Sequence, residues 1–170
     1  MEIRRLSDQD AASYQQLRLE ALEREPQAFT ESVAEHKAMP LETIKHRLGS
    51  GSSNDNFVLG VFVDQQLVGM AGFFRGAGEK ISHRGEIWGV YVAKKCRAKG
   101  VGRALMGELM RLLKSQPALE QVALGVSTHN TAAKRLYESL GFKTYGCHSR
   151  ALKIGDRYVD EELMVLYFMR

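Results

Sequence analysis

Cysteine is scarce in this chain of 170 residues: Cys96 and Cys147 are the only two. A disulfide scaffold of this size would use more of them, so the expected compartment is a reducing one. No uninterrupted apolar run approaches the ~20 residues that a membrane span needs. The start, Met-Glu-Ile-Arg-Arg-Leu, reaches charged residues at once, without the basic stretch and apolar core of a signal peptide. A soluble, cytoplasmic protein with no membrane partner is therefore expected. The histidines His36, His46, His83, His129 and His148 are scattered without the paired spacing of a metal site, so no metal is expected. Internal repeats and low-complexity tails are absent as well. The length and the 44% hydrophobic content fit one domain over residues 1–170 with a real core.

What is present is a change of period along the chain. Glu2 to Leu6 reads as a short strand, and Ser7 with Asp10 as the start of a helix carrying Leu17, Ala21 and Leu22, which Pro26 ends. Pro40 opens a second helix with Leu41, Ile44 and Leu48 on one face, stopped by Gly49 and the Gly-Ser-Gly-Ser-Ser stretch. The pattern then alternates as strands do: Phe57 to Val63, Leu67 to Arg75 and Ile81 to Val92, an antiparallel meander with turns at Asp64-Gln65 and Gly76 to Gly78. Val101, Leu105, Leu109 and Leu112 recur at helical spacing, Val122 to Val126 gives a strand, and Thr131 to Leu140 a helix. Two strands, Phe142 to Leu152 and Tyr158 to Met169, close the chain around a turn at Gly155-Asp156. The predicted order is β-α-α-β-β-β-α-β-α-β-β. It implies an α/β fold: a mixed, mostly antiparallel sheet of about seven strands flanked by helices on both faces.

The segment Arg97-Ala98-Lys99-Gly100-Val101-Gly102 stands where a strand gives way to a helix. Gly100 and Gly102 let a ligand approach the backbone, and the free amides of a helix start suit a pyrophosphate. Arg97, Lys99 and Arg103 add positive charge, and the net charge of +4 favours an anionic partner. A Walker loop would close on Gly-Lys-Ser/Thr, whereas Arg103 and Ala104 follow Gly102. A dinucleotide fold would place the glycines directly after a strand, yet Ala93 to Lys99 intervene. A plain helix start with solvated basic residues also accounts for these residue types.

The same segment resembles the Gln/Arg-x-x-Gly-x-Gly/Ala signature of the GNAT family of N-acetyltransferases. The resemblance extends to the preceding strand end, Val90-Tyr91-Val92, and to Asn130 through Phe142 (Asn-Thr-Ala-Ala-Lys-Arg-Leu-Tyr-Glu-Ser-Leu-Gly-Phe), in order and in spacing. It implies an enzyme that moves acetyl from acetyl-CoA, as cosubstrate, to a primary amine by direct attack in a ternary complex. It also implies a coenzyme site made of Val90, Tyr91, Val92, Arg97, Ala98, Lys99, Gly100, Val101, Gly102, Arg103, Asn130, Lys134 and Tyr137.

Tyr137 is the candidate acid for the leaving thiolate, and core packing beside Leu136 and Leu140 is the other reading. Asn130 fits a helix cap and a coenzyme contact equally. Glu86, between Gly85 and Ile87, is the candidate base, its carboxyl raised by desolvation; an ordinary strand residue paired with Arg84 or Lys80 is the alternative. Lys134 fits a phosphate contact or a solvated surface. Cys96 invites an acyl-enzyme idea, but no histidine base is placed beside it. A catalytically idle coenzyme-binding regulator stays open, whereas a nucleic-acid-binding module is disfavoured by the lack of zinc, RRM or KH signatures. A homodimer also stays open. The acceptor would meet the loops Gln27 to Pro40 and Gly146 to Asp160, with the acids Glu31, Glu35, Asp156, Asp160, Glu161 and Glu162 in them or directly after them.

Overall fold

The computed structural model describes residues 1–49 and 51–168. Met169, the expected end of the last strand, and Ser50 of the Gly-Ser stretch lie outside the described residues. Strands are β1 (Glu2–Arg5), β2 (Asn56–Val63), β3 (Gln66–Arg75), β4 (Arg84–Val92), β5 (Gln121–Ser127), β6 (Lys143–Ile154) and β7 (Arg157–Tyr167). Helices are α1 (Ala11–Arg24), α2 (Val33–Ala38), α3 (Leu41–Leu48), α4 (Val101–Lys114) and α5 (Thr131–Ser139). The strands form one seven-stranded sheet in the order β1-β2-β3-β4-β5-β7-β6. Every neighbouring pair is antiparallel except β4 and β5.

The central strands are buried on both faces: Phe57 to Phe62 on β2 and Val68 to Phe73 on β3 have no exposed side. Such continuous burial needs cover above and below the sheet. Both α1 and α4 pack on β3. On α4, Val101, Leu105, Met106, Leu109, Met110 and Leu113 are buried, spaced as one stripe of a 3.6-residue helix. Leu113, more than the expected Leu112, ends that stripe.

At the N-terminus the Asp10 carboxylate accepts the Ser7 amide at 2.8 Å and both Nη atoms of Arg4 at 2.8 Å, pinning the end of β1 to the start of α1. Two expectations change. The third meander strand begins at Arg84 rather than Ile81, because 79–83 turns and the Gly76 amide donates to the Arg84 carbonyl at 2.9 Å. Between Gln27 and Pro40, read as loop, Ser32 caps α2 by accepting the Glu35 amide while the Glu35 carboxylate accepts the Ser32 amide, a reciprocal pair that holds so short a helix.

Candidate active site

The sheet splits at its one parallel junction. Strands β4 and β5 pair only through Arg84–Gln121, Gly85–Val122 and Glu86–Ala123; beyond Glu86 they diverge. A bulge assists the split: Tyr91 pairs with Met70 and Trp88 with Gly72, so Gly89 and Val90 together face Ala71. Gly89 holds φ +62°, a left-handed conformation that a side chain would resist, and a Cβ there would lie 3.1 Å from Arg18 Nη1. The opening is a cleft of about 340 Å³, walled by Ile87 to Val92 on one side and Leu124 to Ser127 on the other.

One end of the cleft is the start of α4. Gly100 takes φ +80° to turn the chain into the helix, and the first helical bond runs from the Ala104 amide to the Gly100 carbonyl at 2.9 Å. The amides of Val101, Gly102 and Arg103 therefore precede the helical ladder and are free to donate to a ligand. Gly102 lines the cleft beside Leu136 and Val92. Arg97, Ala98, Gly100, Val101 and Arg103 line it too. Arg97 is already held: its Nε donates to the Val92 carbonyl at 2.9 Å, its Nη1 pairs with Glu25, and its guanidinium lies 5.2 Å from the Tyr91 ring centroid.

From the other wall α5 contributes Asn130 and Tyr137. The Asn130 side chain accepts the Ala133 amide at 3.2 Å, so it caps the helix and keeps its own amide hydrogens for the cleft. Tyr137 is 6% exposed, its ring packed on Phe142 at 6.0 Å, and burial pushes its phenol well above the ordinary tyrosine range. Core packing and a place in the cleft coincide in this residue. Tyr91 turns away: its hydroxyl donates to Glu20 at 3.0 Å, and burial together with that carboxylate raises it to about 12.

Three expected residues are not among those lining the cleft. Lys99 is exposed at the tip of the loop. The Lys134 ammonium donates to Glu162 Oε1 at 2.8 Å, and Glu162 accepts Thr144 as well, so this lysine is spent on β7. Glu86 alternates with the buried Gly85 and Ile87 and is exposed, bordering a different hollow with Arg84, Tyr145 and Tyr167. The desolvation expected for Glu86 is thus missing, because side chains on a strand alternate faces and the bulge comes only after it. Cys96 follows β4 in a short 3-10 turn and does not line the cleft. Among the described residues no group of three or more His, Cys, Asp or Glu is arranged to hold a metal ion.

Trp88, Gly89, Glu25 and the β5 wall also line the cleft, although no local motif marks them. A second cavity shares Trp88 with the first and is lined by Tyr14, Arg18, Glu31 and His36. The Arg and His of that cavity lie 18 positions apart on separate helices, so no local spacing joins them.

Residues 17–142 match the family model described as Acetyltransferase (GNAT) family. A mycothiol acetyltransferase of Thermobispora bispora is 50% identical over 58 residues, which is 34% of this chain and 19% of that protein. Another, of Salinispora tropica, is 38% identical over 64 residues, 38% of this chain and 21% of that protein. The chain thus spans about a fifth of the length of these curated relatives. Among solved structures, an acetyltransferase of the GNAT family from Streptococcus pneumoniae superposes with a TM-score of 0.88 at 23% identity, covering 99% of both chains. The yncA structure from Salmonella typhimurium, with its cofactor acetyl-CoA, superposes with a TM-score of 0.79 at 20% identity, covering 100% of this chain and 95% of that one. These likenesses establish the fold, and the family match over most of the chain, together with the split sheet and the loop before α4, makes this protein a member of the acetyltransferase (GNAT) family.

Proposed function

We propose that the protein transfers acetyl from acetyl-CoA to a primary amine by direct attack in a ternary complex. The observation that carries this reading is the split of β4 from β5, which puts an open strand edge, three unladdered helix amides and a buried phenol around one cleft. When bound, acetyl-CoA supplies a thioester: the amine forms a C–N bond to its carbonyl carbon as the C–S bond breaks, and the thiolate leaves.

The residues divide the work by their chemistry. The amides of Val101, Gly102 and Arg103 suit the pyrophosphate, with Arg103 adding charge. The backbone of Val90 to Val92 suits strand-like pairing with an amide-containing chain and can donate an N–H to a carbonyl oxygen. Tyr137 keeps its proton across the neutral range, because burial disfavours the phenolate, so its O–H is available to donate a hydrogen bond to the departing thiolate. Glu86 faces away from this cleft, and the ammonium proton of the acceptor is assigned to water instead.

The test is CoA release from acetyl-CoA with a panel of amines, peptides and amino acids. Turnover above acetyl-CoA hydrolysis with at least one primary amine is expected. Tight coenzyme binding with no turnover on any acceptor would leave a coenzyme-binding regulator and refute the proposal.

A further inference from the structure

Beyond Trp88 the second cavity encloses about 450 Å³. Its walls are apolar and aromatic, with Ile44, Leu48, Phe57, Val58, Phe74 and Trp88. Within them sits a small polar group. Arg18 donates Nε to Glu31 Oε2 at 3.1 Å, and His36 Nδ1 lies 3.2 Å from Glu31 Oε1. One carboxylate therefore orients both side chains from its two oxygens. Arg18 is 6% exposed and His36 2%. Yet Arg18 Nη1 and His36 Nε2 are buried and have no hydrogen-bond partner among the described residues. Leaving such groups unpaired costs their full desolvation, most of all for a charged group, so a ligand that satisfies them gains specificity.

The two orphan atoms differ in kind. Arg18 Nη1 is a cationic donor and calls for an anionic or carbonyl acceptor. Glu31 favours the His36 tautomer that carries its proton on Nδ1, which leaves Nε2 a lone pair for an N–H. Around the cavity Arg18 and Arg47 face Glu31 alone, a surplus of positive charge. Position links the group to the donor cleft: Arg18 Nη1 borders Gly89 of the bulge, and Trp88 lines both spaces.

We propose that this cavity binds the acceptor, and that the acceptor is a small amine carrying a carboxylate on an apolar body, as an apolar α-amino acid does. Arg18 Nη1 takes the carboxylate, His36 Nε2 takes an amine hydrogen, and the apolar walls take the side chain. The amine nitrogen is then the atom that forms the C–N bond, losing its proton to water while the thiolate gains one. The identity of the acceptor rests on the acetyl-transfer reading; the binding of the carboxylate does not.

The experiment measures kcat/KM by CoA release for L-phenylalanine and L-leucine against phenethylamine and isopentylamine, which are the same amines without the carboxylate. L-phenylalaninamide, a less basic amine with no carboxylate, controls for the fraction of neutral nucleophile. The acids should be better substrates by on the order of 10- to 100-fold, the range of a charged hydrogen bond. Arg18→Met should bring that ratio near one, whatever its absolute rate, and Arg18→Lys should restore part of it. His36→Phe should raise KM for all the amines while keeping the carboxylate preference. Wild-type turnover that is equal or better without the carboxylate overturns the inference and leaves acetyl transfer standing. Binding is read separately from the fluorescence of Trp88, the only tryptophan. Saturable quenching by L-phenylalanine, lost in Arg18→Met, with no turnover on any amine would keep the cavity assignment and refute acetyl transfer. No saturable response in the wild-type protein, with neither turnover nor quenching by the acids, overturns the cavity assignment itself.

Discussion

Replacing Gly102 by glutamate pulls stability and coenzyme binding in opposite directions. Gly102 is the second residue of α4 and lines the cleft. A Cβ built there meets Leu136 Cδ2 at 3.5 Å and Val92 Cγ2 at 3.7 Å, ordinary contacts that require nothing to move. Removing a helical glycine gains roughly 0.5–1 kcal/mol of propensity, and an acid in the first turn gains about 0.3–1 kcal/mol from the helix dipole. At about 2–4 °C per kcal/mol for a chain of this size, Gly102→Glu should raise Tm by a few degrees. For a phosphate at the same amides, one added negative charge about 5 Å away costs roughly 3 kcal/mol at an effective dielectric near 20, or on the order of 100-fold in affinity. Gly102→Ala, which adds the Cβ without the charge, should share the stabilisation and lose much less affinity. Calorimetric titration with CoA beside thermal melts of the three proteins checks this. A Gly102→Glu protein that binds CoA within about threefold of wild type would refute the location of the phosphate site.

Three further outcomes follow from the geometry. Tyr137→Phe removes only a hydroxyl from a packed ring, so the affinity for CoA should hold while turnover falls about 100-fold. Because burial raises this phenol, wild-type turnover should show no falling limb from Tyr137 between pH 6 and 9, and unchanged turnover in the variant would make Tyr137 a packing residue. Asp10→Asn should destabilise the fold by about 1–2 kcal/mol at pH 7, discounted for the partial exposure of Arg4. The hydrogen bond from Arg4 depresses the Asp10 carboxyl, so its contribution is present above the unfolded value of about 3.9 and lost as pH falls through the lower folded value. Denaturant melts from pH 7 to 3 should therefore show the variant and wild type converging at acid pH. Lys134→Met should leave CoA affinity within about twofold, since that ammonium is engaged by Glu162; a loss of tenfold or more in a titration would return Lys134 to the phosphates.

Local chemistry was legible from neighbouring residues alone. The 3.6-residue stripe of α4, the glycines at its start and the meander of β2 to β4 are properties of neighbouring residues, and they stand close to where they were expected, with β4 starting at Arg84 rather than Ile81. The cap at Asn130 and the packing of Tyr137 were likewise legible, because α5 carries both on one short segment. Tertiary structure decided the rest. Whether Glu86 is buried depends on where the bulge falls, and that depends on Gly89 meeting Ala71 of another strand. Whether Lys134 is free depends on β7, which arrives 28 residues later to supply Glu162. The cleft exists because two strands stop pairing after three residues, and no single segment records that. The Arg18–Glu31–His36 group is the plainest case: its members come from α1, the segment before α2, and α2 itself, and only packing under Trp88 turns three ordinary charged or polar residues into one oriented group in which Arg18 and His36 are buried.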